Sequence, residues 1–213
     1  MEEKKEIRIR MRRLLAEIPA EERGHCSHKA CVSLMKSDLF LSAQVVLSYM
    51  AMPAELDPFR LTAAALHEHK MLAVPRCVPH TNRLDFFCLH SDDSLDSIKQ
   101  FEAQFTHGPF GVREPKPLAS ALLTGERIKR KKICAVVPGI AFTDRGCRLG
   151  HGKGYYDNYL AWLKEQALEH DSKLSLVGFC FDCQLVDFLP VESHDVLMDY
   201  IACPSGIIRC PHY

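Results

Sequence analysis

The stretch Gly146-Cys147-Arg148-Leu149-Gly150-His151-Gly152-Lys153-Gly154 holds four of the chain's 11 glycines, and it lies between an apolar run and an amphipathic one. Upstream, Ile133-Cys134-Ala135-Val136-Val137 reads as a short buried strand closed by Pro138-Gly139. Downstream, Tyr155-Tyr156-Asp157 opens a helical pattern that continues through Tyr159, Leu160 and Leu163. A strand, a glycine loop and a helix in that order aim backbone amides and the positive end of a helix at one point, which suits an anion. Lys153 and Arg148 add two full positive charges inside the same loop, placed to neutralise phosphate oxygens. A tight turn that only packs strand on helix would need neither the cations nor so many glycines.

Two common phosphate motifs do not fit. A Walker A loop requires Gly where Cys147 stands and Ser or Thr where Gly154 stands, and a dinucleotide fingerprint requires Gly at Tyr155. Neither a P-loop nor a nicotinamide site is therefore expected. Lys plus Arg and Asp plus Glu number 27 each, so no overall field draws nucleic acid or an anionic membrane, and substrate charge must be met locally. The basic run Lys129-Arg130-Lys131-Lys132 reads as a solvated loop before the strand at Ile133. Ten cysteines are scattered through a chain of 213 residues, several inside apolar runs, and no signal sequence leads it. They read as free thiols of a cytoplasmic protein, with a zinc site at Cys180-x-x-Cys183 the weaker reading because Cys180 sits in a strand-like run. No apolar stretch reaches membrane-spanning length, and the acidic start Met1-Glu2-Glu3 argues against a mitochondrial presequence.

The length suits one domain over residues 1–213, able to bury about 70% of its unfolded surface. Along it, helices and strands alternate. Residues 2–18 put Ile7, Met11, Leu14, Leu15 and Ile18 on one helical stripe with Lys4, Lys5, Arg8 and Arg12 largely off it, and a second helix follows Pro19. Strands are expected at 44–50, 71–75, 84–89, 133–137, 175–181 and 198–203, and a helix from an Asp57 cap and Pro58 to about Lys70. This pattern predicts an α/β fold with a mainly parallel sheet covered on both faces and ligands at the strands' carboxyl ends.

The string Val137-Pro138-Gly139-Ile140-Ala141-Phe142, then Asp144, then Gly146-x-Arg148-Leu149-Gly150-x-Gly152-x-Gly154-Tyr155-Tyr156-Asp157 resembles the 5-formyltetrahydrofolate cyclo-ligase family. The similarity extends over essentially the whole chain. It includes the basic N-terminal helix, Glu55, Pro75-Arg76, the segment Phe110-Gly111-Val112-x-Glu114-Pro115, Gln184-Leu185-Val186, Leu189-Pro190 and His194-Asp195. The resemblance implies a three-layer α/β/α sandwich related to the ribose-phosphate isomerase and CoA-transferase group. It also implies ATP- and Mg²⁺-dependent closure of 5-formyltetrahydrofolate to 5,10-methenyltetrahydrofolate with release of ADP and phosphate. Phosphoryl transfer to the formyl oxygen would turn a very poor leaving group into a good one, a step that needs positioning and charge neutralisation above all.

For ATP the resemblance implies Lys4 and Arg8, four apart on one helix face, together with Arg148, Gly150, His151, Gly152, Lys153, Gly154 and Tyr155, with Lys153 and Arg148 catalytic. Asp157 and Asp195 are implied for Mg²⁺, a hard cation that takes protein carboxylates alongside phosphate oxygens. Met50, Glu55, Phe110, Gly152 and Tyr155 are implied for the folate, the carboxylate on the donor edge of the pterin and an aromatic face against it. Outside the resemblance, Lys4 and Arg8 read as a solvated face, Asp157 as a complement to the helix dipole, Asp195 as a turn cap and Glu55 as a surface charge. The expected partners are small molecules, folate with or without a polyglutamate tail, bound by a monomer that meets neither nucleic acid nor membrane. Two other classes remain open: a folate- and nucleotide-binding module without turnover, and an unrelated small kinase or CoA-transferring enzyme on a similar sheet.

Overall fold

The computed structural model describes residues 3–90, 101–108 and 111–211. One seven-stranded sheet organises them, in the order β3-β2-β1-β6-β9-β10-β11. Its strands are β1 Val45–Leu47, β2 Met71–Cys77, β3 Leu84–Leu89, β6 Lys132–Val137, β9 Lys173–Phe179, β10 Tyr200–Cys203 and β11 Gly206–Arg209. The five central strands pair in parallel, and the edges β3 and β11 fold back antiparallel. Two small ribbons stand apart, β4 Phe105–His107 with β5 Arg113–Pro115, and β7 Ala141–Phe142 with β8 Arg148–Leu149. The main helices are α1 Lys4–Glu17, α2 Ala20–Met35, α4 Phe59–His67 and α6 Tyr155–Glu169, with short turns α3 Asp38–Leu41 and α5 Gly125–Ile128.

Alternation along the strands builds two cores. In β1 and β6, Val46, Cys134 and Val136 point to one face, where Leu34 of α2 and Leu61 of α4 cover them. Val45, Leu47, Ile133, Ala135 and Val137 point to the other, against Leu160 and Leu163 of α6. Period-two burial on both faces is what a central strand between helical layers requires, so the expected α/β fold with a mainly parallel, doubly covered sheet is borne out. A third, smaller cluster joins Ile7 and Met11 of α1 to Ile140, Ala141 and Leu149 of the β7–β8 ribbon and to Leu189. Burial of such side chains stabilises by about 1.5–3 kcal/mol each, and here it fastens α1 to the ribbon that carries the glycine loop.

Several boundaries differ from the sequence pattern for local reasons. The buried stripe of α1 is Ile7, Met11 and Leu15, a strict i, i+4, i+8 line, and Leu14 stays 39% exposed. Asp57 caps the next helix from one residue further out than expected, its Oδ1 accepting the Phe59 N–H at 2.9 Å while Pro58 takes the cap position. That helix stops at His67 because His69 adopts φ 53 and turns the chain into β2. All ten cysteines are free; Cys180 is buried beyond the end of β9 and Cys183 is exposed.

The chain winds outward from β1 to β2 and β3, then returns to the opposite side of β1 as β6 and winds outward again through β9 and β10. That reversal leaves a crevice at the carboxyl ends of β1 and β6, where open parallel sheets bind ligands. The loop after β1 enters it from one side and the glycine loop from the other.

Candidate active site

A cleft of about 1050 Å³ opens at this reversal. Its walls come mainly from the basic face of α1, the loop after β1 with Met50 and Glu55, residues 148–157 and the turn 190–195, with β2, β3 and β5 adding Cys77, Leu84 and Glu114.

The glycine loop forms one wall. Gly154, at φ 71, is the N-cap of α6, and no side chain among the described residues caps that end, so first-turn amides are open to an anion. Gly152, at φ 97, lies so close to α1 that a Cβ there would stand 3.4 Å from the Arg8 guanidinium carbon. Arg8 in turn donates from Nε to the Gly150 carbonyl at 2.8 Å. Burial and the neighbouring Arg12 lower its pKa, against the opposing pull of Asp195, Glu192 and Asp157. Lys153 is exposed on the loop's rim and joins the same cleft. Cations thus converge from α1 and from the loop on one space.

Arg148 departs from the picture of a free loop cation. It sits on β8 with its side chain only 2% exposed, donating to Asp157 Oδ1 at 2.6 Å and to the Pro138 carbonyl at 3.3 Å. The Tyr156 ring lies 5.6 Å from its guanidinium carbon, and its Nε is buried with no hydrogen-bond partner among the described residues. Only a strand position next to the first turn of α6 brings these groups together, and loop spacing alone does not reveal it. Lys4 is likewise paired, at 2.8 Å to Asp195 Oδ2 and 3.4 Å to Glu192 Oε2. Each carboxylate expected to hold metal therefore already meets a cation. Among the described residues, the one group of three potential metal donors within 4.8 Å of one another is Glu192, His194 and Asp195; Asp157 lies outside it.

On the opposite wall Glu55 is 90% buried at its side chain, with Oε2 accepting the Met52 N–H at 2.9 Å and Oε1 standing 3.2 Å from His151 Nε2. Met50 and Tyr155 line the same cleft. Phe110 lies outside the described residues. Every other residue expected at the site from sequence lines this one cleft: Lys4, Arg8, Met50, Glu55, Arg148, Gly150, His151, Gly152, Lys153, Gly154, Tyr155, Asp157 and Asp195.

Sequence reasoning missed several lining residues. Lys5 and Arg12 extend the basic face of α1, and the i, i+4, i+8 spacing of Lys4, Arg8 and Arg12 was the available signal. Glu114 is buried beside the cleft, accepting the Cys77 N–H at 3.0 Å and facing Arg76 at 3.7 Å. His194 was marked only as part of the His194-Asp195 pair, and Glu192 only by its nearness to it. Tyr156, whose hydroxyl pKa is pushed up by burial and by the nearby Glu55, was marked only as part of the string that opens the helix.

A cleft at the reversal point of a parallel sheet, lined by a glycine loop, several cations and a few buried carboxylates, defines an α/β enzyme fold whose cleft suits an anionic small molecule. Residues 1–204 match the 5-formyltetrahydrofolate cyclo-ligase family, and the chain belongs to that family. The 5-formyltetrahydrofolate cyclo-ligase of Saccharomyces cerevisiae is 30% identical over 197 residues, covering 87% of this chain and 86% of the yeast protein. That of Escherichia coli is 27% identical over 200 residues, covering 93% and 98%. The solved 5,10-methenyltetrahydrofolate synthetase of Aquifex aeolicus superposes with a TM-score of 0.71 at 26% identity over 99% of this chain and 94% of that one. A Mycoplasma pneumoniae synthetase, 19% identical with a TM-score of 0.66, shares the fold.

Proposed function

We propose that the protein closes 5-formyltetrahydrofolate to 5,10-methenyltetrahydrofolate at the expense of ATP. The observation that carries this reading is the meeting, in one cleft, of the glycine loop with its flanking cations and the Glu55 wall across from it. Anionic phosphates suit the first wall, and the paired donors of a pterin suit the second.

In the chemistry proposed, the formyl oxygen attacks the γ-phosphorus of ATP and ADP departs. The neighbouring amine nitrogen, which lies outside the pterin ring, then attacks the activated carbon, its proton passes to solvent, and the carbon–oxygen bond breaks to release phosphate. Lys153, free of any ion pair among the described residues, is the cation best placed to follow the moving charge. Arg8 and the open amides of α6 hold the nucleotide against the loop. Arg148 acts from behind, its bond to Asp157 orienting that carboxylate at the start of α6. The donor chemistry of Asp157 and Asp195 fits Mg²⁺: each commits one oxygen to a close cation, and the other, which in Asp195 stands 3.9 Å from His194 Nε2, is a hard ligand. When bound there the metal would neutralise phosphate charge. Enclosure of Glu55 favours a single pterin orientation, and Met50 and Tyr155 supply apolar surface for the ring.

Purified protein mixed with 5-formyltetrahydrofolate, ATP and Mg²⁺ should form methenyl product, followed by its near-ultraviolet absorbance, with one ADP released per ring closed. Product formed at full rate without ATP would sink the reading. Folate binding without turnover would instead support a binding module on the same fold.

A further inference from the structure

One side-chain contact spans the cleft's two walls. His151 and Glu55 are 96 positions apart, and their atoms Nε2 and Oε1 lie 3.2 Å apart. The carboxylate's other oxygen accepts the Met52 N–H at 2.9 Å, and the same turn is closed by the Glu55 N–H on the Met52 carbonyl at 2.9 Å and by the Tyr49 hydroxyl on the Leu56 carbonyl. Glu55 is thus gripped from its own turn on one oxygen and from the glycine loop on the other. Because an ionised carboxylate only accepts, the imidazole Nε2–H is the donor.

We propose that His151, though it sits in the loop assigned to the nucleotide, is a positioning residue for the folate. This rests on the folate reading above. A carboxylate offers about four lone-pair positions, two on each oxygen. Met52 and His151 take one on each, which leaves one on each oxygen for a ligand edge with two parallel donors, the pattern a pterin presents. The terminal torsion of a glutamate is broad, so without His151 the plane of the carboxylate turns about its one remaining bond. Its orientation must then be fixed when the substrate binds, which weakens binding. The imidazole, 39% exposed, can be removed without opening a core cavity.

The test is steady-state kinetics of His151→Ala, His151→Gln, Glu55→Gln and the double variant His151→Ala with Glu55→Gln. Turnover by the wild-type protein comes first; its absence would overturn the proposed reaction, and the positioning role with it. With turnover established, His151→Ala should raise the folate KM roughly five- to tenfold, with the ATP KM and kcat held within about twofold. His151→Gln, which keeps an N–H donor of similar reach, should recover most of that loss. The double variant should match Glu55→Gln alone, because the imidazole acts only through that carboxylate. An ATP KM that rises instead, an unchanged folate KM, or additive effects in the double variant would overturn the positioning role while leaving the reaction standing.

Discussion

At the residue scale the two walls of the cleft separate by the chemistry of their side chains. Lys153 is exposed and meets no partner among the described residues, so Lys153→Ala should keep its fold while kcat/KM falls by roughly tenfold to a hundredfold, the worth of one charge-assisted hydrogen bond to phosphate. Unchanged kinetics in a variant that melts like the wild type would return Lys153 to a solvated rim. Asp157→Asn and Asp195→Asn should lose activity in a manner partly recovered by added Mg²⁺, whereas Glu55→Gln should raise the folate KM and ignore Mg²⁺. Reversed responses would show that the division of the pocket is wrong. Arg148 illustrates how spacing misleads at this scale. Loop glycines stand two residues away on either side, yet its side chain turns inward to Asp157 and the Pro138 carbonyl, because β8 pairs with β7 and buries it.

At the element scale α1 is the piece whose placement decides the site. Its apolar line docks on the β7–β8 ribbon, and its polar line reaches across the cleft through Arg8 to Gly150 and Lys4 to Asp195. Burial alone would raise the Asp195 pKa, but the bonds from Lys4 and the Glu192 amide outweigh it and hold the carboxyl below its usual range. A carboxylate depressed in the folded state contributes stability that is complete above its unfolded value of about 3.9 and is lost as pH falls through the folded value. Lys4→Met should therefore melt about 1–3 °C below wild type near neutral pH, a gap that narrows once the pH falls below the unfolded value and closes as it passes through the folded one. A gap of constant size across an acid titration that protonates the carboxylates would mean the clasp adds nothing that titrates at Asp195. The helix itself was readable from its apolar period. What its basic face reaches was not, since i, i+4 spacing describes a cation stripe equally well whether it meets water or a cleft.

At the scale of the whole molecule, the thiols report on folding. Burial pushes those of Cys31, Cys77, Cys203 and Cys210 up to about 11 and that of Cys134 to about 12; Cys183, whose thiol pKa desolvation also raises, is set apart as the one exposed cysteine of the ten. A thiol reagent should modify the native protein quickly at Cys183 and slowly elsewhere, then count ten thiols once denaturant is added without reductant. Fewer than ten would reveal a disulfide. Among the described residues no helix is long and apolar enough to cross a membrane. The α/β alternation, six of the seven strands of the main sheet, the glycine loop and the helix it opens were determined by the sequence, because each rests on a local period or on a residue type with a local conformational effect, whereas β11 and the two small ribbons were not. The edge strands' antiparallel direction, the return of β6 beside β1, the burial of Arg148 and the approach of His151 to Glu55 were decided only by tertiary structure. Those features pair residues far apart in the chain, and local periodicity carries no record of which distant partner a strand end or a side chain will meet.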